Sequence, residues 1–308
     1  MTIDRVNVLV LMGGPDAERD VSIMSGKQVA QALRDSNKFN VLEHVIDKPS
    51  VDELRALGGD VVFPVLHGPW GEGGPLQELL EELDLPYVGS VPAAAKLAMD
   101  KLATKKILAD KGIATPESQL LGADDDCEID PPLVLKPVDD GSSVDLRICR
   151  TIEEIGKART ELQPKRSRLM AERYIAGREL TVGIALDKPL PIIEIVSATE
   201  FYDYDAKYVR DDTQYIFDPQ LPEGVAEKCI DISMQAYHHI GCRDVARVDF
   251  MLSGGDEADI WFLEINTMPG FTTHSLVPMA AVHIGMKMPE LCSDLVQAAL
   301  ARSAHATV

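Results

Sequence analysis

Apolar and polar positions follow two rhythms along this chain. Val6-Asn-Val-Leu-Val-Leu-Met12 is short and almost continuously apolar, which predicts a strand buried on both faces. Gly13 and Gly14 end it, and a helical pattern runs from about Val21 to Leu33, so the chain opens as a βαβ unit. After a polar segment and a helix near Val51 to Leu57, a second parallel strand is predicted around Asp60 to Leu66. It ends at His67-Gly-Pro-Trp-Gly-Glu72-Gly-Gly-Pro75, before a helix whose Leu76, Leu79, Leu80 and Leu83 form one stripe. Pro92 to Lys111 reads as one helix stopped by Gly112, and Leu133 to Pro137 as a strand. Thr151-Ile-Glu-Glu154 is a capping box for a helix to about Leu162; the polar linker Gln163 to Arg168 follows, and the stretch Leu169 to Ala185 returns to strand. Further helices are predicted from about Glu223 to Ile240 and from Pro289 to Arg302.

Period two dominates one late stretch. Arg247-Val-Asp249-Phe-Met-Leu252 and Trp261-Phe-Leu-Glu264-Ile-Asn266 flank a turn-rich loop, which predicts an antiparallel hairpin. Alternation places Arg247, Asp249 and Met251 on one face of the first strand, and Phe262, Glu264 and Asn266 on one face of the second. Thr267 to Pro278 is too broken by Pro and Gly to be read as strand or helix.

Composition narrows the class. A length of 308 residues exceeds the usual size of one core, so two or three domains are expected. The formal charge of −20 disfavours nucleic acid as partner. Five scattered cysteines without a C-x-x-C pair suit a reducing compartment and not structural zinc. No apolar run approaches the roughly 20 residues of a membrane span, so a cytoplasmic protein is expected.

The candidate chemistry gathers at strand ends and at the hairpin. Asp249 and Glu264 lie equally far from the loop and are expected to oppose each other, with Asn266 one pleat along. Opposed carboxylates repel unless a cation sits between them, and two acids with an amide oxygen suit Mg²⁺; a solvated face balanced by Arg247 is the alternative. Lys136 in an apolar strand points to an anion. Lys101, Lys105 and Lys106 read as a helix surface, of which Lys101 is set apart below. Glu18 is either a first-turn acid favoured by the helix dipole or a ligand group, and His67 either shapes its turn or binds substrate. Asp139-Asp-Gly-Ser142-Ser-Val-Asp145 is a small-residue loop able to wrap phosphates through backbone N–H groups, or a plain turn. Glu172 and Glu179 flank a turn. Phe201 to Arg210, with Lys207 and Tyr208, has the mixed character of a lid, or is an exposed aromatic patch.

Together these motifs resemble, in order, those of the D-alanine:D-alanine ligases of the ATP-grasp superfamily. The carriers are the turn from Gly13 to Glu18, His67-Gly-Pro-Trp-Gly-Glu72, Met99-Asp-Lys101, the loop before Asp145, Glu172 with Glu179, and Leu263-Glu-Ile-Asn-Thr-Met-Pro-Gly270 with His274-Ser-Leu276. The turn from Gly13 to Glu18 lacks a dinucleotide fingerprint, which weakens a dehydrogenase reading. The resemblance implies an α/β (α+β) ATP-grasp fold with an N-terminal Rossmann-like domain over 1–91, a central domain over 92–172, and a catalytic domain over 173–308 with a lid near 200–220. It implies ATP-dependent joining of two D-alanines for peptidoglycan precursor synthesis, with Mg²⁺ or Mn²⁺ on Asp249, Glu264 and Asn266. It places Lys101, Lys136 and Lys207 at the phosphates, Glu172 at adenine and Glu179 at ribose. Glu18 would hold the ammonium of the first D-alanine, His67 would bind substrate, and Ser275 and Leu276 would hold the carboxylate of the second. Arg247 and the Gly270 N–H would meet the oxyanion, and Glu18, Ser142 and Tyr208 would order the lid. A homodimer is the family habit. Two positions depart from the family pattern: Asp16, usually serine, and Asp145, usually glycine, whose carboxylate should repel phosphates. Another ATP-grasp carboxylate–amine ligase, or a nucleotide-binding regulatory module, are the alternatives.

Overall fold

The computed structural model describes residues 5–122, 125–141, 144–197, 213–254 and 258–306. Its strands form three sheets. The first is parallel, in the order β2 (Asn40–Ile46), β1 (Asn7–Gly13), β3 (Val61–Pro64). Residues of β1 and β3 are buried, as their apolar runs require, and helix α1 (Arg19–Asp35) packs its Val29, Ala30 and Leu33 against them. β2 lies in the segment that reads as polar. It is the edge of the sheet, and only Ile46 is fully buried. Helices α2 (Val51–Ala56), α3 (Gly68–Gly71) and α4 (Pro75–Glu82) follow, with Leu76 and Leu80 of the leucine stripe in the core beneath β1.

The single helix expected from Pro92 is two. α5 (Pro92–Met99) stops at Asp100, whose ψ of 95° leaves the helical region, and α6 (Lys101–Ala109) starts anew. Asp100 accepts a hydrogen bond from Ala103 N at 3.0 Å and so caps the second helix. The break puts Lys101 at a helix N-terminus.

The second sheet is antiparallel, in the order β4 (Ser118–Leu121), β7 (Leu169–Arg173), β5 (Leu133–Pro137), β6 (Arg147–Cys149), and α7 (Ile152–Leu162) covers it through Ile155, Ala158 and Leu162. The third sheet, also antiparallel, runs β10 (Gln214–Phe217), β9 (Lys188–Val196), β8 (Arg178–Ala185), β11 (Val245–Ser253), β12 (Asp259–Asn266). Helix α8 (Val225–Ile240), ended by Gly241 at φ 80°, packs on it through Cys229, Ala236 and Tyr237.

Thr267 to Pro278 is not wholly irregular, since α9 (Leu276–His283) begins within it and carries Pro278 in its first turn, where no N–H is needed. The chain closes with α10 (Met288–Ala306), which packs on α1. Phe63 of β3 meets Phe271 edge-on at 5.3 Å, so the first and last thirds of the chain share one core. Among the described residues no helix is long and apolar enough to cross a membrane.

Candidate active site

The hairpin β11–β12 forms with Asp249 directly opposite Glu264 and Arg247 opposite Asn266. Its register shifts between Asp249 and Phe250, and this bulge corrects the simple alternation. Phe262 does not share a face with Glu264. It is fully buried on the far side against Phe250, 6.2 Å away, while Leu263 and Glu264 both line the cleft. Asp249 is held tightly, by Thr181 Oγ1 at 2.6 Å and by the Arg247 guanidinium at 2.9 Å. Glu264 is the more open acid, with Lys101 Nζ 3.4 Å from it. The Asn266 side-chain oxygen accepts from Met268 N at 2.9 Å and keeps a second lone pair.

A cavity of about 400 Å³ opens from these acids between the second and third sheets. One wall carries Val134, Lys136, Ile148 and Tyr174, the other Ile195, Met251 and Leu263, with Lys101, Asp249 and Glu264 at one end and Glu179 also on the lining. Flat apolar walls with charges at one end suit an aromatic base with a polyanionic tail. Lys136 is not a lone cation, for its Nζ lies 2.6 Å from Glu172, and Lys105 Nζ lies 2.6 Å from the other oxygen of the same carboxylate. Lys105 is therefore no surface residue. It is 2 % exposed and also reaches the Phe262 carbonyl at 3.3 Å. Burial, and after it the attraction of Glu172 and the repulsion of Lys136, leave its pKa lowered to about 8. Burial alone would raise the Glu172 pKa, but Lys105 and Lys136 overcome this and hold it below the ordinary carboxylate value. Sequence patterning had no signal for Lys105, because it lies on α6 and its partner on β7, far along the chain.

The N-terminal turn reaches the same end of the cleft. Ser22 Oγ accepts from Gly13 N and donates to Val65 O, which fixes the start of α1 between two strand ends. Glu18 is buried, and its carboxylate lies 2.9 Å from where a Cβ on Gly141 would stand, so a side chain there would have to displace it. His67 is buried with Nδ1 3.0 Å from the Met268 carbonyl; donation to that carbonyl leaves Nε2 as an acceptor, with no partner among the described residues. Burial holds its pKa below the usual histidine value, so the ring is neutral.

Glu72, which the motif contains but which was given no role from sequence, is buried beside them and accepts from Gly68 N at 3.1 Å. Burial and then Glu18 push its pKa well up. Asp16 accepts from Trp70 N at 2.9 Å and braces α3. A smaller cavity joins Glu72, Gly141, Lys101, Glu264 and Asn266.

On the far side, Gly270 sits where a side chain would meet Ser275 Oγ at 2.8 Å. Ser275 precedes α9 and accepts from Thr272 N at 2.9 Å, and Leu276 opens that helix with its side chain in the core. The structure thus brings together Glu18, His67, Lys101, Lys136, Glu172, Glu179, Arg247, Asp249, Glu264 and Asn266 around one cleft. Ser142, Lys207 and Tyr208 lie outside the described residues.

Comparisons with known proteins give the family. The profile described as D-ala D-ala ligase C-terminus matches residues 115–297, and that of the D-ala D-ala ligase N-terminus matches 49–90. A D-alanine–D-alanine ligase of Bordetella petrii is 43% identical over 301 residues, covering 94% of this chain and 91% of its own. One from Aquifex aeolicus is 39% identical over 295 residues, covering 94% of this chain and 100% of its own.

The chain belongs to the D-alanine–D-alanine ligase family.

Among solved structures, the family member of Bacillus anthracis complexed with ATP superposes with a TM-score of 0.83 at 32% identity, covering 98% of this chain and 99% of that one. The enzyme of Coxiella burnetii gives 0.82 at 27%, covering 99% and 96%. The fold is thus that of the D-alanine–D-alanine ligases, and the protein is a ligase. Among the described residues no three His, Cys, Asp or Glu side chains cluster as a metal site. The donor set of a D-alanine–D-alanine ligase here would instead be two opposed carboxylates and an amide oxygen, which fits a hard divalent ion that also meets phosphates.

Proposed function

We propose that this protein joins two D-alanines into D-alanyl-D-alanine at the expense of ATP, in the synthesis of peptidoglycan precursors. The observation that carries the proposal is the opposed pair Asp249 and Glu264, with Lys101 beside them, at the charged end of a base-sized cavity. Asp249, Glu264 and Asn266 would hold Mg²⁺, whose bound charge offsets that of the β- and γ-phosphates.

A carboxylate is a poor electrophile, so the first D-alanine is activated. Its carboxylate oxygen attacks the γ-phosphorus, the bond to the bridging oxygen of ADP breaks, and an acyl phosphate results. Lys101 and Lys136 lie at the cleft for the phosphates. Glu18 and the accepting Nε2 of His67 suit the substrate ammonium, since both accept hydrogen bonds from it. The amine of the second D-alanine then attacks the acyl carbon, and phosphate leaves with the C–O electrons. Arg247 and Gly270 N–H are assigned to the oxyanion, where loss of one donor typically costs about a hundredfold or more in rate. The start of α9 at Leu276, with its uncommitted N–H groups, suits the second carboxylate. Ser142, Lys207 and Tyr208 are assigned by resemblance alone, as lid and phosphate contacts. A cytoplasmic homodimer is part of the same reading.

The test is ADP release coupled to product analysis with D-alanine, D-lactate, D-serine and L-alanine. D-alanine-dependent ADP release with dipeptide formation is expected. Turnover with another acid but not D-alanine would move the assignment to a different carboxylate–amine ligase, and nucleotide binding without turnover to a regulatory module.

A further inference from the structure

Two aspartates flank the small-residue stretch between β5 and β6, and one arginine from a distant linker holds both. Arg166 Nη1 lies 2.7 Å from Asp140 Oδ2, and its Nε donates to Asp145 Oδ2 at 2.7 Å. Asp140 and Gly141 line both cavities, and Val144 lines the larger one. The Asp140 carbonyl also receives Lys101 Nζ at 2.5 Å. Asp145 adopts φ 57°, the left-handed region that favours glycine, which is the residue the family pattern carries there. An aspartate tolerates that backbone better than most side chains, but it adds a negative charge beside a nucleotide's phosphates.

The linker that supplies the arginine is itself fixed. Arg166 N donates to Leu162 O at 2.9 Å at the end of α7, and Arg168 pairs with Asp100 at 2.8 Å, beside Lys101. The guanidinium is 28% exposed, while Asp140 and Asp145 are 8% and 19% exposed, so the bridge is sheltered from solvent on the acid side.

We infer that Arg166 is a positioning residue for nucleotide binding: by bridging Asp140 and Asp145 it closes the base of the loop and neutralises the carboxylate that position 145 adds. This rests on the reading of the cleft as an ATP site. With Arg166 in place the three groups carry one net negative charge; without it they carry two, and the loop base is untied. The arginine acts through the two aspartates and not by touching the nucleotide.

The experiment is a double-mutant cycle read by calorimetric titration with ADP in Mg²⁺ buffer, with KM for ATP and kcat measured in parallel. Arg166→Met is expected to weaken ADP on the order of tenfold and to raise KM for ATP alike, with kcat at saturating ATP within about twofold. Asp145→Gly alone should change ADP affinity by less than about twofold. Arg166→Met with Asp145→Gly should recover most of the loss, because the unpaired carboxylate is gone, and the deficit of Arg166→Met should shrink as salt is raised.

An arginine that contacts nucleotide directly, or serves only folding, predicts that the loss persists in the double variant, and that result overturns the inference. So does an Arg166→Met protein that binds ADP as wild type does. Should Arg166→Met not fold, Asp145→Asn is read instead: it must bind ADP at least as tightly as wild type, and weaker binding overturns the inference. Failure of the wild type itself to bind ADP would overturn the ATP reading and this inference with it, whereas the outcomes above overturn this inference alone.

Discussion

Glu172 lies between two ammonium groups inside a closed wall, and that balance sets two measurable properties. Removing Lys105 leaves the buried carboxylate with Lys136 alone. Breaking a buried pair on one side typically costs about 3–5 kcal/mol. Lys105→Met is therefore expected to lower unfolding stability by about 3 kcal/mol in urea titrations, together with a raised KM for ATP as Lys136 is drawn closer to Glu172. A loss below about 1 kcal/mol would show that the trio contributes no net stability.

The lysine also predicts a pH dependence. Its pKa of about 8 lies below the ordinary 10.5 because burial disfavours the charged form, with Lys136 adding repulsion and Glu172 and Glu264 opposing it. As pH rises through about 8 the proton leaves, Glu172 turns to Lys136, and ATP affinity declines. For folding the sign is reversed. The unfolded chain holds that proton up to its own pKa, so between about 8 and 10.5 this group alone makes stability rise with pH. A KM for ATP that stays flat from pH 7 to 9.5 would remove Lys105 from the nucleotide site.

The break at Asp100 shows how a short polar side chain redirects a helix toward chemistry. Asp100 caps α6, pairs with Arg168 at 2.8 Å, and so presents Lys101 at the cleft. Asp100→Ala should cost about 1 kcal/mol for the lost cap and raise KM for ATP severalfold, as the two helices merge and Lys101 turns away. A KM unchanged alongside the stability loss would show that Lys101 does not depend on the break.

The break was hidden in the sequence, because the flanking residues keep helical periodicity and only the local cap decides. β1, α1 and the hairpin were legible, since continuous apolar character and period two leave few alternatives. β2 was not, because an edge strand exposing Asn40, Glu43 and Val45 carries little burial signal. The bulge was equally silent: Phe262 and Leu263 are both apolar, so either could face the core, and packing against Phe250 selects Phe262. The acids and Lys136 stood out because charge in strands is costly to bury without a partner. Lys105 and Arg166 did not, since their partners are set by tertiary contact.

At the junction of the three chain thirds a second arginine ties together elements that also share a core. Arg302 of α10 pairs with Asp244 at 2.5 Å and donates to the Tyr87 carbonyl at 3.1 Å, and Gly89 N donates to the same aspartate at 2.7 Å. Arg243 stacks on the Tyr87 ring at 4.7 Å. The segment following α4, the start of β11 and the last helix are thereby locked in one arrangement. That arrangement has a functional side. The cavity assigned to the nucleotide is lined from the second and third sheets together with α6, whereas Glu18 and His67 lie at the N-termini of α1 and α3 beside the first sheet and must be held against the hairpin. Loosening the junction should therefore tilt the amino-acid end and spare the nucleotide end. Arg302→Ala leaves Asp244 buried, with Gly89 N–H as its remaining described partner. Arg302 is 36% exposed, so the cost belongs at the low end for such pairs, about 2 kcal/mol. The expected result is a lower melting temperature, with KM for D-alanine rising severalfold and KM for ATP within about twofold. If both KM values rise together, the first sheet and the nucleotide cavity move as one body, and the junction does not separate the two halves of the site.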